Sequence, residues 1–228
     1  MEFSRWLLAQ GEDFPNKVIF SDEKWFTEKL WPNKQTERYW AREDPEIEYD
    51  CMQQGGKKVM CWAAIIDGRV IVKWYKGDGR VNQHSYLATL NDDLWPEIHS
   101  VATRRGYWMQ QDGATSHTTN LVLDWLEDKF EDRVISRKTQ IPWPAKSPDL
   151  APNDYWLWSI CLGEISRVKP SNLEQLKQVV SEFCESLSPS EVKSATKNIR
   201  KRAQACIEAE GGAFEHRLGK YKNVVVEE

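Results

Sequence analysis

Residues 17–22 read KVIFSD, an apolar run of β-branched and aromatic side chains that stops at a carboxylate. The run is too short for an ordinary helix, and its composition predicts a buried strand with Asp22 at its C-terminal end. Upstream, Phe3, Trp6, Leu7 and Gln10 recur at helical spacing and Gly11 follows as a stop, so a short helix is expected over 1–10. Downstream, KKVMCWAAII (57–66) and DGRVIVKWYKG (67–77) are two further strand patterns. They are joined by Asp67-Gly68, a dipeptide that tolerates the positive φ of a tight hairpin. The polar stretch 27–56 between them reads as a hairpin or loop excursion around RYW (38–40).

Further on, Tyr86, Leu87, Leu90, Leu94, Trp95 and Ile98 predict a long helix over 83–101 despite Pro96. GYWMQQD (106–112) is again a strand pattern ending in an acid. HTTNLVLDWLEDKF (117–130) puts Leu121, Val122, Trp125, Leu126 and Phe130 on one helical face, and VISR (134–137) resembles a short strand. Three helical segments are expected after a proline-rich loop, at 152–165, 171–187 and 189–210, with Ser171 and Ser188 as caps. The order β-β-β-α-β-α-β followed by helices is that of an α/β fold with a mixed central sheet.

Composition narrows the function classes. With 228 residues, 40% hydrophobic content and 12 Trp, the chain can bury one sizeable core. A net charge of -4 and a pI near 5.7 argue against a surface that grips nucleic acid all over, and leave room for a local basic rim. Five scattered cysteines without a C-x-x-C pair fit a reducing compartment, not a disulfide framework or a zinc site. No run approaches the length of a membrane span, and the first residues lack a signal-peptide pattern, so a soluble intracellular protein is expected.

Three acids fall at predicted element ends: Asp22, Asp112 and Asp154, with 89 and 41 residues between them. Strand ends that neighbour each other in a mixed sheet can bring such carboxylates into one crevice. Converging carboxylates raise each other's pKa unless a cation compensates, and hard oxygen donors suit Mg²⁺ or Mn²⁺. A pair of such ions can activate a water and stabilise the leaving oxygen of a phosphodiester. Spacing alone does not decide the matter, because a chain with 35 Asp and Glu places some at element ends by chance.

The words around the acids are more specific. FSDEKWF (20–26), KVMCWAAI (58–65), MQQDGATSH (109–117), PWPAKSPDLAPNDYWLW (142–158) and CIEAEGGAFEHRL (206–218) resemble, in this order, the motifs of mariner-like DNA transposases. The resemblance implies a ribonuclease-H-like core of a mixed β-sheet flanked by helices, with further C-terminal helices. It implies a catalytic triad of Asp22, Asp112 and Asp154 that binds two Mg²⁺ or Mn²⁺ ions. The activity implied is cut-and-paste transposition, by metal-dependent phosphodiester hydrolysis and DNA strand transfer, in the nucleus. Transposon ends and target DNA would be its partners, and a homodimer its assembly. Residues 1–16 would then be a linker helix and 17–228 the catalytic domain. Only 21 residues precede Asp22, so the helix-turn-helix DNA reader of family transposases is expected to be absent, leaving a catalytic fragment or a host-retained remnant.

Within SPDLAPNDYWLW (147–158) geometry ranks the two aspartates the same way. Pro152 keeps Ala151 out of helical angles and suits a first helical position, which leaves Asp154 in the first turn, where the helix dipole favours a carboxylate. Asp149 precedes it in a bend, as a turn residue that serves backbone donors. Strand alternation turns Glu23 to the face opposite Asp22, behind the site or on the surface. His117 opens the helix after Asp112, either near a phosphate or as an ordinary helix-start histidine. Gly113 lets backbone or DNA come close to the acids. Trp143 is a candidate platform for an unpaired base, while Arg104, Arg105, Arg137, Lys138 and Lys146, with Arg167 and Lys169, are candidates for a basic rim.

Two departures from the family pattern stand out. The second and third acids are further apart than in many members, and WSICL (158–162) lacks the Gly and Lys common after the third acid. A domain that keeps the fold and binds DNA or protein without turnover is therefore the alternative function. A glycosidase with paired carboxylates explains none of the ordered words.

Overall fold

The apolar half of KVIFSD begins a strand that runs further than its composition suggests. In the computed structural model, which describes residues 1–28, 57–76, 79–99 and 106–218, β1 spans Val18–Thr27, so Asp22 lies in mid-strand and not at a strand end. The cause is its neighbour: β2, Lys58–Ile66, pairs antiparallel with β1 from Phe20 to Thr27 and carries the polar half along as strand. On the other side β1 pairs in parallel with β4, Trp108–Gln110, and this pairing stops at Phe20 opposite Gln110. Asp22 thus stands just past the end of the sheet on one side while still inside it on the other.

β3, Arg69–Trp74, returns along β2 through a two-residue turn in which Asp67 (φ 44°) and Gly68 (φ 83°) both take left-handed angles. That is the hairpin geometry expected of Asp-Gly. β5, Val134–Ile135, adds in parallel to β4. The sheet order is β3-β2-β1-β4-β5, three antiparallel strands followed by two parallel ones, which is a ribonuclease-H-like arrangement. The excursion expected around residues 38–40 lies outside the described residues.

Alternation along β2 divides the core between the two faces of the sheet. Cys61, Ala63 and Ile65, with Phe20 and Phe26 of β1, join a cluster with α1 (Glu2–Ala9), α4 (Trp158–Val168), α5 (Leu173–Ser186), α6 (Pro189–Lys197) and α7 (Ile199–Glu208). Trp62, Ala64 and Ile66, with Ile19, pack on α2 (Gln83–Ala88) and α3 (Asn120–Phe130). Leu121 of α3 is 41% exposed, because only the Val122, Leu126 and Phe130 stripe reaches the sheet. After α2 the chain widens into a π-turn at Thr89–Leu94 and continues as helix over 95–99, a widening that accommodates Pro96 without ending the helix.

Two sequence expectations shift. The helix expected over 189–210 is two helices, α6 and α7, that meet at Asn198. Ser188 caps α6 in a reciprocal capping box with Glu191. The cap of α5 is Asn172, whose side chain accepts from Gln175 N–H, while Ser171 instead donates to the Gln175 side chain. α1 is anchored to α7 by Arg200, whose guanidinium donates to the carbonyls of Leu7, Leu8 and Gln10 and so satisfies the open end of the helix.

Candidate active site

Asp22 projects on the face that carries Phe20, toward α4. Asp112 follows β4 by two residues, and Asp154 lies in the π-turn Asn153–Leu157 that leads into α4. All three line one cleft of about 410 Å³, whose other charged walls are Arg137 and Lys146. Asp149 does not line it.

The start of α4 is tied to the sheet opposite Asp22. Asn153 is fully buried, and its Nδ2 donates to the carbonyl of Ala63 at 3.0 Å; Ala63 is the residue of β2 paired with Asp22. Ala151 is extended before Pro152, and the amides of Asp154 and Tyr155 then close onto the Ala151 carbonyl. Asp149 sits in the preceding 3-10 turn, Pro148–Leu150, where its carbonyl accepts from Arg202 at 3.0 Å. The turn is closed by backbone bonds from Leu150 N–H to Ser147 and from Ala151 N–H to Pro148. The Leu150 and Ala151 amides are thus taken by backbone carbonyls, and the Asp149 carboxylate accepts from its own amide instead.

Electrostatics separate the three acids. Burial pushes the Asp22 carboxyl well above the usual range and the nearby Asp154 pushes it further, while a hydrogen bond from Trp158 works the other way. That bond, Trp158 Nε1 to Asp22 Oδ2, is 2.7 Å long. Asp154 is pushed up to about 6, first by burial and then by the charges of Asp112 and Asp149, against the opposing charge of Lys24. The residue still touches solvent at the cleft mouth, so protein mass around it, not loss of all water, raises its value.

Asp112 moves the opposite way. Burial raises its carboxyl, but His117 and the Ala114 amide outweigh this and hold it below the usual range. Its Oδ1 accepts from Ala114 N–H at 2.9 Å and meets His117 Nδ1 at 2.6 Å. The second ring nitrogen, Nε2, reaches Glu23 Oε1 at 3.2 Å. Burial disfavours the imidazolium, yet the bonds to Asp112 and Glu23 and the charges of both acids raise His117 to about 9, so it donates to both carboxylates at neutral pH. Tyr86 stacks on its ring with centroids 3.9 Å apart. Gln111 holds its backbone, donating from Nε2 to the His117 carbonyl at 2.7 Å. His117 lies in the turn ahead of α3 and not within it, and Glu23, on the far face from Asp22, reaches it around the end of β4.

Of the expected basic rim, Arg137 and Lys146 line the cleft, and Lys138 donates to the Thr118 carbonyl at 2.9 Å. Arg167 is paired with Glu164 on an exposed face of α4; Arg104 and Arg105 lie outside the described residues. What comes close to Gly113 is the Arg137 side chain, whose Cδ would stand 3.1 Å from an added Cβ. Trp143 lines the cleft but is 7% exposed, with its ring edge-on to Phe3 at 4.9 Å, so most of its surface is committed to the core. Trp158 and Asn153 are site residues that sequence reading passed over. Trp158 sits one helical turn after Asp154, a spacing visible in the sequence, but nothing there shows its partner.

The donor set suits a hard divalent cation: carboxylate oxygens, with no Cys or His among the cleft-lining side chains. Among the described residues no three His, Cys, Asp or Glu side chains stand close enough to form a ready-made cage. Asp112 is bonded to His117 through Oδ1, and Asp22 to Trp158 through Oδ2.

Comparisons with known proteins find relatives at low identity. No protein-family model matches the chain. The chain is 26% identical over 206 residues to the Tc3 transposase of Caenorhabditis elegans, covering 88% of the chain and 58% of that protein. It is 22% identical over 216 residues to the human histone-lysine N-methyltransferase SETMAR, covering 92% of the chain and 30% of that protein. The chain thus spans less than two thirds of either relative. Among solved structures, the pre-cleavage Mos1 transpososome superposes with a TM-score of 0.75 at 24% identity, covering 94% of this chain and 62% of that one. The Mos1 transposase catalytic domain with raltegravir and magnesium gives 0.70 at 22% identity, covering 94% of each chain.

Proposed function

We propose, starting from a mariner-like transposase catalytic domain, that this chain hydrolyses and transfers phosphodiester bonds in DNA. Asp22, Asp112 and Asp154 would be the ligands of two divalent cations, Mg²⁺ or Mn²⁺. The observation that carries the reading is the convergence of three carboxylates, from a strand, a post-strand loop and a helix start, on one cleft walled by two cations of the chain. When bound, the metal ions supply an activated nucleophile and neutralise charge on the leaving oxygen.

The chain's own residues divide the remaining work. Asp22, held inside the sheet, is the fixed ligand, and Asp112 is kept ionised by His117. Asp154 closes the set from the α4 side, where Asn153 fixes its distance from β2. Arg137 and Lys146 draw the DNA phosphates to the cleft and hold them there. Transposon ends and target DNA are the proposed substrates, a dimer the proposed assembly, and the nucleus the proposed location.

A supercoiled-plasmid nicking assay with Mn²⁺ or Mg²⁺ tests this reading. The wild-type chain should nick, and Asp22→Asn, Asp112→Asn and Asp154→Asn should each lose at least ~100-fold while remaining folded, since each removes a ligand oxygen from transition-state stabilisation. A second reading, a domain that binds DNA or protein without turnover, draws support from the SETMAR likeness, since that protein is named for a different activity. Wild-type protein that binds DNA yet nicks no faster than the triad variants would favour it.

A further inference from the structure

We propose that Trp158 is a positioning residue for Asp22: its indole N–H orients the carboxylate so that the remaining lone pairs face the cleft, and thereby sets the affinity for the first cation. The inference rests on the metal-binding reading of Asp22 above. The bond from Trp158 Nε1 to Asp22 Oδ2, at 2.7 Å, is short for an N–H···O contact, as expected for a donor facing a carboxylate. It joins residues 136 positions apart in sequence.

The indole is poorly placed to let go. Trp158 is 3% exposed, and its ring is braced edge-on by Phe26, with centroids 6.0 Å apart. Phe26 belongs to the same strand and the same face as Asp22. A carboxylate on a strand can rotate about two side-chain torsions, and a metal site suffers when its ligands are free to do so. With Oδ2 fixed on the indole, the plane of the Asp22 carboxylate is set.

α4 thus acts on two ligands at once. Asp154 lies in the turn at its start, Trp158 follows one helical turn later, and Asn153 ties this start to Ala63, the partner of Asp22. Any shift of the helix moves Asp154 and reorients Asp22 together. Asp112 has its own orienting partners in Ala114 N–H and His117. Such outer partners of ligating carboxylates typically change metal affinity by about 10–100-fold when removed.

The test is Mn²⁺ titration by calorimetry of the whole chain as wild type and as W158F, which keeps an aromatic ring and removes the N–H. Expected is a loss of at least ~10-fold in Mn²⁺ affinity, with DNA affinity in EDTA unchanged. Trp74→Phe is the packing control, because Trp74 donates to Ser181 Oγ at 3.1 Å on the same sheet face and not to an acid; its Mn²⁺ affinity should match the wild type. A spectroscopic readout accompanies this: with ¹⁵N-labelled indoles, the resonance missing from W158F should be the one that moves on adding Mg²⁺.

W158F that binds Mn²⁺ as tightly as the wild type, or tighter because the indole competes for Oδ2, overturns the inference and leaves the metal reading standing. Wild-type protein that binds no Mn²⁺ overturns both. Should W158F fail to fold, Asp22→Asn tests the same bond. One indole resonance should then move relative to the wild type and cease to respond to Mg²⁺; if no indole responds to Mg²⁺ even in the wild type, the inference fails.

Discussion

Replacing Asp154 with Asn removes one negative charge from a cleft that already holds Asp22 and Asp112, and the structure sets the size of the effect. The Asp154 carboxyl is pushed up from the usual carboxylate range to about 6, worth about 3 kcal/mol for a fully sequestered group. Asp154 is exposed to solvent, and solvent screening reduces this to about 1 kcal/mol. The folded chain binds this proton more tightly than the unfolded chain does. The carboxyl therefore weakens the fold wherever it is ionised, and the penalty fades as pH falls from about 6 toward 3.8. Asp154→Asn should accordingly raise Tm in EDTA by about 2–4 °C at pH 8, with the gain vanishing near pH 4. Calorimetric scans at pH 8, 6 and 4 measure this directly. Added Mn²⁺ should raise Tm of the wild type and leave that of the variant unmoved, and plasmid nicking should be lost. Asp149→Asn is the companion. Its turn is closed by backbone bonds, so stability should change by less than about 0.5 kcal/mol with nicking retained. A variant at Asp154 that loses stability at pH 8, or keeps nicking while the Asp149 variant loses it, would refute the reasoning.

DNA binding by the chain should be weak, indifferent to sequence and steeply salt-dependent, and removing Arg137 or Lys146 by Ala substitution should each lower the salt slope by about 1, read from fluorescence anisotropy across a salt series. Asn153→Ala should cost about 1–3 kcal/mol in urea unfolding, since it deletes a buried donor and its bond to the Ala63 carbonyl. It should also reduce Mn²⁺ affinity more than its stability loss explains. Gly68→Ala should destabilise by at least ~1 kcal/mol in the same assay, because Gly68 has φ 83° and an added Cβ would stand 3.0 Å from Pro189 and Lys193. An unchanged midpoint would exclude the crowding.

Local patterns carried the element types, since alternation and helical period are written in neighbouring residues. The Asp-Gly hairpin, the α2 region and the Ser188 cap all follow from local chemistry. The extension of β1 past Asp22 does not, because DEKWFT is polar and becomes strand only through the register of β2. The shortness of β4, three residues, likewise depends on its two neighbours. At the site, the three acids were legible as ordered words, and Asn153 and Trp158 sit inside one of those words. Their partners, Ala63 and Asp22, are 90 and 136 residues away, and no local pattern points to them. Alternation turns Glu23 from Asp22, but its contact with His117 at 3.2 Å joins residues 94 positions apart and is a property of the assembled sheet. For Ser171 and Asn172 the ambiguity was chemical: both are good caps, and one residue of register decided between them.

The sheet order has a consequence for how the chain folds. Strand β1 is flanked by β2 and by β4, which come from regions on either side of α2, and the third acid arrives only with the segment that closes against Ala63. No acid of the cleft has a neighbour among the other two until these long-range pairings are complete. Contacts of such high sequence separation are slow to form, so the unfolded chain and early intermediates hold no version of the site. A divalent ion that binds the cleft would therefore have nothing to template in the early chain and would act on the finished fold alone, slowing its loss. At an ion concentration about a hundredfold above Kd, that selective binding adds about 2.7 kcal/mol to the native state.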